Sequence, residues 1–391
     1  MVELLAPCHD YATLNAALDS GADAAYFGID SLNMRMNAKN FKAKDLQKIS
    51  MICHAHKAKA YLALNSIIYE SELPKAEKII RQAKAAGIDA AIIQDYGLIP
   101  LLKKNKMKFH ISTQASVSNS ASANLCKKLG ASRVILAREV SLKDLSKIAK
   151  NSKIDLEVFI HGAMCASISG RCFLSGAIYK KSANRGECMQ PCRQEWSVKS
   201  KTGELIYDGK RFMNAKDLCT IEFLDKIIRT GVNSLKIEGR MKDANYVSTV
   251  VKVYREAIDN FDKSKVKEWL KTLGSVYNRG FSRGFYLNTP GSKDIDYDNE
   301  GSASKTKKLP IGVVKNYYPK AKAAEILLNQ GGLRQGDEII FQGKTTFFKQ
   351  KVSSMQISRK DVKQALKNER VAVKTIKLAR RNDLVFKLSN I

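Results

Sequence analysis

Eight times in the first 240 residues a short apolar run is followed by a stretch whose apolar positions recur at helical spacing. The runs are VELLAP (2–7), AAYFGI (24–29), AYLALN (60–65), AAIIQD (90–95), KFHIST (108–113), RVILAR (133–138), LEVFIHG (156–162) and SLKIEGR (234–240). Between them, DYATLNAALDSGA opens on a capping-type Asp10 and stops near Gly21, and AKDLCTIEFLDKIIRTGV repeats the helical period. The phrases SGADAAY, AGIDAAI and LGASRVI read as one helix-to-strand junction used repeatedly. Eight strands, each followed by a helix, predict a closed (β/α)8 TIM-barrel-like domain, with an open doubly wound sheet as the alternative.

In such a barrel the strand C-terminal ends face the active site. Here they are Pro7, Gly28, Asn65, Gln94, Asp95, Gln114, Arg138, His161, Glu238 and Arg240, most of them polar. Residues 243–272 read as helices that close the barrel, completing a catalytic domain over 1–295. The segment 278–291 reads as a loop rich in Gly and Asn, and DYDNEGSASKTKK (296–308) as a polar linker. From Leu309 to Ile391 short strands separated by turn residues predict a small β-barrel.

Four of the eight cysteines, Cys165, Cys172, Cys188 and Cys192, fall in one excursion after the seventh strand, within 161–196. The spacing, C-x6-C, x15, C-x3-C, is neither the ferredoxin run nor the paired C-x2-C of a zinc ribbon. Thiolates suit an iron–sulfur cluster or zinc, and two disulfides remain open. Gly162, Gly170, Gly176 and Gly186 would let the backbone fold closely around a metal centre. Cys8, Cys53 and Cys126 are isolated, and Cys126 on an apolar helical face reads as a small buried hydrophobe. Cys219, placed early in the helix of AKDLCTIEFL, is a spare ligand candidate.

The N-terminal segment lacks a basic region followed by an apolar one, and no run approaches the roughly 20 apolar residues of a membrane span. The expected location is the cytoplasm, with no membrane partner. Disulfides are uncommon there, and clustered cysteines are metal ligands or catalysts. The net charge is +29, and residues 301–391 carry 20 basic against 6 acidic side chains. Excess of this size favours a polyanion, with nucleic acid ahead of a membrane surface.

Around the expected catalytic face, His161 is a candidate acid–base or outer-sphere group. Lys236, Glu238, Arg240 and Lys242 surround the last strand end, where Glu238 and Arg240 suit a carboxylate or phosphate. Arg35, Asn37 and Asn40 of LNMRMNAKNF, with Gln114, suit a polar ligand. There is no HExxH, GxSxG, P-loop or GxGxxG opening a helix after a strand, so serine and zinc peptidases are unsupported. A thiol hydrolase built on Cys165 and His161 would leave three cysteines unexplained.

HGAMCASISGRCFLSG, NRGECMQPCRQEW, NAKDL and SLKIEGRMK, with ELLAPC, GADAAYFG and LNMRMNAKNF ahead of them, resemble peptidase family U-32. The resemblance covers essentially the whole chain. It implies oxygen-independent hydroxylation with a 4Fe–4S cluster held by Cys165, Cys172, Cys188 and Cys192. For RNA-directed members it implies prephenate as oxygen donor, with Lys236, Glu238 and Arg240 as candidates to bind it. The implied substrate is RNA, first the wobble uridine of tRNA, which would become 5-hydroxyuridine. Other members act on a cytidine of rRNA or on a quinone ring, and the family name keeps a peptidase as the alternative. Only about twenty residues separate Cys192 from Asn214, without the long insertion of some bacterial tRNA-type members. The sequence marks neither a redox partner nor an oligomeric state.

Overall fold

The computed structural model describes residues 2–168 and 171–390. Gly170 of the cysteine segment lies outside the described residues. The expected barrel is present. Its strands are β1 (Glu3–Pro7), β2 (Ala24–Phe27), β3 (Lys59–Leu64), β4 (Ala90–Ile93), β5 (Phe109–Ile111), β6 (Arg133–Ile135), β7 (Asp155–Gly162) and β8 (Ser234–Ile237). Each pairs in parallel with the next, and β8 pairs with both β7 and β1, which closes the cylinder. Closure leaves no free edge in the ring. The apolar runs are continuous rather than alternating because both faces of each strand are buried, one in the barrel interior and one under helices.

The helices α1 (Tyr11–Asp19), α2 (Leu46–Ala55), α3 (Leu73–Ala85), α4 (Leu98–Lys104), α5 (Ser120–Lys128) and α6 (Leu142–Asn151) follow the first six strands. Asp10 caps α1 as expected, accepting from the Thr13 N–H at 2.9 Å. A short α7 (Leu174–Tyr179) sits inside the cysteine segment; α8 (Leu224–Arg229) precedes β8, and α9 (Ala244–Asp259) and α10 (Val266–Gly274) follow it.

The barrel interior is not uniformly apolar. Glu157, fully buried, accepts from Lys236 Nζ at 2.8 Å and from Arg133 Nη1 at 3.2 Å, and Arg133 also pairs with Glu3. Tyr61 donates to Glu3 at 2.8 Å. These charges fill the floor beneath the catalytic face. Removing one member of such a buried set typically costs about 3–5 kcal/mol, because its partner stays behind uncompensated.

Two expectations fail. AKDLCT does not begin a helix: Asp217–Cys219 is a strand, antiparallel to the end of β7 and parallel to Phe281–Ser282. All three residues are buried, and backbone pairing with β7 outweighs their helical spacing, which takes hold only at Leu224. Phe281–Ser282 likewise gives the expected 278–291 loop a paired element. A hairpin, Trp196–Lys199 with Leu205–Lys210, leaves the barrel between the cysteine segment and Asn214.

The C-terminal region is an eight-stranded antiparallel sheet around its own core of Val314, Ile326, Phe341, Val371 and Val385. Its first strand, Thr306–Tyr318, begins inside the segment read as linker. Ile340 and Phe347 pack on Ala12 and Ala16 of α1 and Ala244 of α9. Asn15 donates to the Thr345 carbonyl at 2.7 Å, and Lys308 and Lys377 pair with Asp243 and Asp19, each at 2.7 Å. Among the described residues no helix is long and apolar enough to cross a membrane.

Candidate active site at the C-terminal face of the barrel

A cavity of ≈ 190 Å³ opens at the C-terminal ends of the strands. Tyr26, Ala63, Ile92, Ile135 and Phe159 project inward from β2, β3, β4, β6 and β7 to line it. Asn65, Gln114, Arg138, Glu238 and Arg240 come from the strand ends, Arg35 and Asn37 from the loop after β2, and Cys165, Cys188, Cys192 and Arg193 from the cysteine segment. Gln94 and Asp95 do not reach it; Asp95 instead accepts from the Ile68 and Gly97 N–H groups.

Glu238 is the only carboxylate on the cavity wall among the described residues. Arg35 Nη2 donates to its Oε1 at 3.0 Å. Burial alone would raise the Glu238 carboxyl, but the Arg35 and Arg138 charges outweigh it and hold it below the usual carboxylate range. Among the described residues Arg240 has no carboxylate partner. Its guanidinium donates to Asn33 Oδ1 at 2.8 Å and Asn40 Oδ1 at 2.6 Å, its Nε has no partner, and burial pulls its pKa down to about 10. Gly28 makes this placement possible, because a Cβ there would collide with the Arg240 guanidinium. Arg138 donates to the Ala163 carbonyl at 2.6 Å and lies 4.1 Å over the Phe159 ring, again without a carboxylate and with its Nε unpartnered. Lys236 lines the cavity, but its ammonium is committed downward to Glu157. Lys242, 3.1 Å over the Tyr277 ring, is pulled down to about 8 by burial against the opposing pull of Asp217.

His161 is not on the cavity wall. Lys236 pairs with Phe159, but the next residue, Ile237, pairs with His161, so β7 carries one extra residue. Simple alternation would put 157, 159 and 161 on one face. The bulge turns His161 outward against Tyr246 and Tyr254 of α9, its Nδ1 3.3 Å from the Tyr254 hydroxyl. Burial, with the Lys242 charge, pulls its pKa down to about 3, so it is neutral. None of the five histidines lines the cavity, and the Cys165–His161 pairing is not formed.

The four clustered cysteines are free thiols, with Cys165, Cys188 and Cys192 on the cavity wall and Cys172 off it. Burial raises the Cys192 thiol, and the nearby Cys165, Cys188 and Cys172 raise it further against Arg193, so the four sulfurs share one neighbourhood. Among the described residues no group of three or more His, Cys, Asp or Glu side chains is arranged to hold a metal ion. Four thiols are nevertheless the donor chemistry that a thiolate-ligated centre takes. Arg193 fastens the segment at both ends, donating to Met164 O before it and to Asn214 Oδ1 (2.9 Å) and Ala215 O (2.5 Å) after it. Gly162 and Gly186 have φ of +106° and +89° and bring the backbone against Glu238 O and Asn33 O, whereas a Cβ on Gly176 would meet only Lys181 O at an ordinary 3.9 Å. Cys219 is buried on its strand, 3.8 Å from the Tyr254 hydroxyl, away from the cavity. Arg193, Arg279 and Tyr26 also line the cavity and were not anticipated; the position of Arg193 beside Cys192 was the available signal.

The chain matches peptidase family U32 over residues 9–296. It is 43% identical to an uncharacterized protease of Methanocaldococcus jannaschii, covering 99% of this chain and 98% of that one. It is 34% identical to a collagenase of Porphyromonas gingivalis, over 98% of this chain and 97% of the other. It is also 34% identical to tRNA hydroxylation protein P1 of Bacillus subtilis, over 87% of this chain and 83% of that protein.

Proposed function

Because the chain belongs to peptidase family U32, we propose that it is an RNA-hydroxylating member of that family, acting on tRNA and forming 5-hydroxyuridine at the wobble position. One observation carries the reading. Three guanidinium groups without a carboxylate partner among the described residues, half-buried Arg138 and Arg193 and buried Arg240, line one cavity with three free thiols, Cys165, Cys188 and Cys192, and Cys172 lies near Cys192. Buried positive charge of this kind is stabilised when an anion enters. Four clustered thiols are the donors an iron–sulfur centre takes.

In this reading Cys165, Cys172, Cys188 and Cys192 hold a 4Fe–4S cluster, which supplies a redox centre at the rim. Arg138 and Arg240 bind the carboxylates of the oxygen donor, prephenate. Glu238 orients Arg35 and limits the excess positive charge. Phe159 and Ile135 keep water from the inner wall. The target base must be unstacked to reach the cavity, which an anticodon loop allows at modest cost.

The collagenase-like relatives point to a peptidase instead. The absence of any histidine from the cavity wall weighs against a cysteine–histidine nucleophile.

The test is anaerobic purification with iron, sulfide and zinc analysis, followed by mass spectrometry of tRNA nucleosides from a deletion strain. About four iron and four sulfide per chain, lost in Cys188→Ala, and disappearance of a 5-hydroxyuridine-derived nucleoside are expected. Stoichiometric zinc without sulfide, an unchanged tRNA profile, or gelatin turnover that survives loss of all four loop cysteines overturns the reading.

A further inference from the structure

The cavity mouth carries an apolar and aromatic patch that neither the cavity nor the thiols use. Ile67 and Tyr69 follow β3, Tyr96 follows β4 and Phe173 follows Cys172; they are 40%, 57%, 52% and 80% exposed. Specific contacts tie them together. The Ile68 N–H donates to Asp95 Oδ2 at 3.0 Å, joining the loops after β3 and β4. Arg185 of the cysteine segment donates to Ile67 O at 2.9 Å, forks onto both Glu72 oxygens at 2.7 Å, and lies 4.0 Å over the Tyr69 ring. The Cys172 N–H donates to Asn184 Oδ1 at 2.8 Å, which holds the Phe173 stretch beside Arg185. Arg171 is near enough to Tyr96 for its charge to oppose the upward push of burial on that phenol.

Single exposed apolar side chains need no explanation, but several exposed rings on joined loops beside a cavity mark a contact surface. Its charge selects the occupant. Arg171 is exposed among the rings, whereas Arg185 stacks on Tyr69 and is paired with Glu72, on a chain of net charge +29. Aromatic faces and guanidinium planes are what unpaired bases stack on, while the cations meet phosphates. A duplex hides its base faces and gains nothing from such a surface. The basic C-terminal sheet packs on α1 and α9, beside β1 and β8, whereas the patch follows β3 and β4. A strand held by that sheet therefore crosses the cavity mouth before it meets the patch.

We propose that Phe173, Tyr96 and Tyr69 form a stacking platform for unpaired bases of an RNA strand, flanked by Arg171 and Arg185 and placed beside Cys172. The proposal rests on RNA being the substrate. The platform holds the nucleotides next to the target base and keeps it unstacked over the cavity.

The experiment titrates a short fluorescein-labelled single-stranded RNA, and the same sequence as a duplex, into the anaerobically purified full-length protein at several salt concentrations. Phe173→Ala and Tyr96→Ala each weaken single-strand binding by about tenfold with an unchanged salt slope, while Phe173→Tyr binds as the parent. Arg171→Gln lowers the salt slope by about 0.7. Duplex binding is indifferent to Phe173. Unchanged single-strand affinity in the Phe173→Ala, Tyr96→Ala double variant overturns the platform. If tRNA is still hydroxylated in that case, the functional reading stands alone. No RNA binding together with no tRNA product overturns both. A dimer in light scattering that Phe173→Ala disperses assigns the patch to a second copy of the chain and overturns the platform.

Discussion

Arg35 and Glu238, which stand 203 positions apart in the chain, meet at 3.0 Å across the cavity mouth. The contact ties the loop after β2 to the end of β8 and neutralises one of the cations on the wall. It also fixes how the cavity answers to pH.

Glu238→Gln keeps the shape and removes the charge. At pH 7 the variant is expected to lose about 1–2 kcal/mol of stability, a charged hydrogen bond partly screened because the Arg35 side chain is 34% exposed. The folded carboxyl lies below its ordinary value, so on acidification the unfolded chain takes up the proton first. The stabilisation is thus fully present above about pH 5, the upper edge of carboxylate titration in unfolded chains, and is lost as pH falls through the folded value. Urea denaturation of both proteins at pH 7 and near pH 3 checks this. A stability gap that persists unchanged at the lower pH would refute it.

His161→Phe is expected to separate stability from activity. The imidazole faces α9, not the cavity, and is held neutral with its pKa near 3. Its depressed folded value means that the unfolded chain binds the proton first. Its contribution is therefore present above the ordinary histidine value of about 6.5 and is lost as pH falls from there towards 3. The variant leaves the Tyr254 hydroxyl with one partner fewer and should melt earlier, while the folded fraction keeps whatever anion affinity and iron content the parent shows. Loss of anion binding in a well-folded variant would return His161 to the cavity chemistry.

The barrel was legible because each strand is buried on both faces, so apolar runs such as AAYFGI and AYLALN stand out between helical stretches. The rim cysteines were legible by motif, Glu238, Arg240 and Gln114 by their places at strand ends, and Arg35 by its polar loop after β2. What was not legible arises where local pattern and backbone pairing disagree. One extra residue in β7 reverses the facing of His161, and no periodicity announces a bulge. Asp217–Cys219 has helical spacing yet is taken by the edge of β7. Arg193 and Arg279 reach the cavity from segments without any period, so no alternation rule could aim them.

Arg240→Met tests whether the buried charge is there for a ligand. A methionine roughly fills the space and removes a cation that has no carboxylate partner, while Asn33 and Asn40 each lose one donor. These effects oppose one another, so stability should change by no more than about 2 kcal/mol. Affinity for prephenate, measured by calorimetry, should fall at least about tenfold, the loss of one charge-assisted hydrogen bond to a carboxylate. Unchanged affinity would remove Arg240 from the donor site and leave Arg138 as its main cation.

Lys360, Lys363 and Lys367 are exposed on the C-terminal sheet, outside its apolar core. Their charges are therefore free to meet phosphates without serving the fold. Changing all three to glutamine should leave the melting temperature nearly unaltered, since exposed substitutions of this kind stay within about 0.5 kcal/mol each. It should weaken single-strand binding and lower the slope of log affinity against log salt by about 2, because each lost phosphate contact releases fewer counterions. Base stacking on Phe173 does not depend on these ions, so the two sets of substitutions should combine additively. An unchanged slope in the triple variant would mean that the basic sheet does not grip the strand, and that the lysines on the barrel itself carry the electrostatic part of binding.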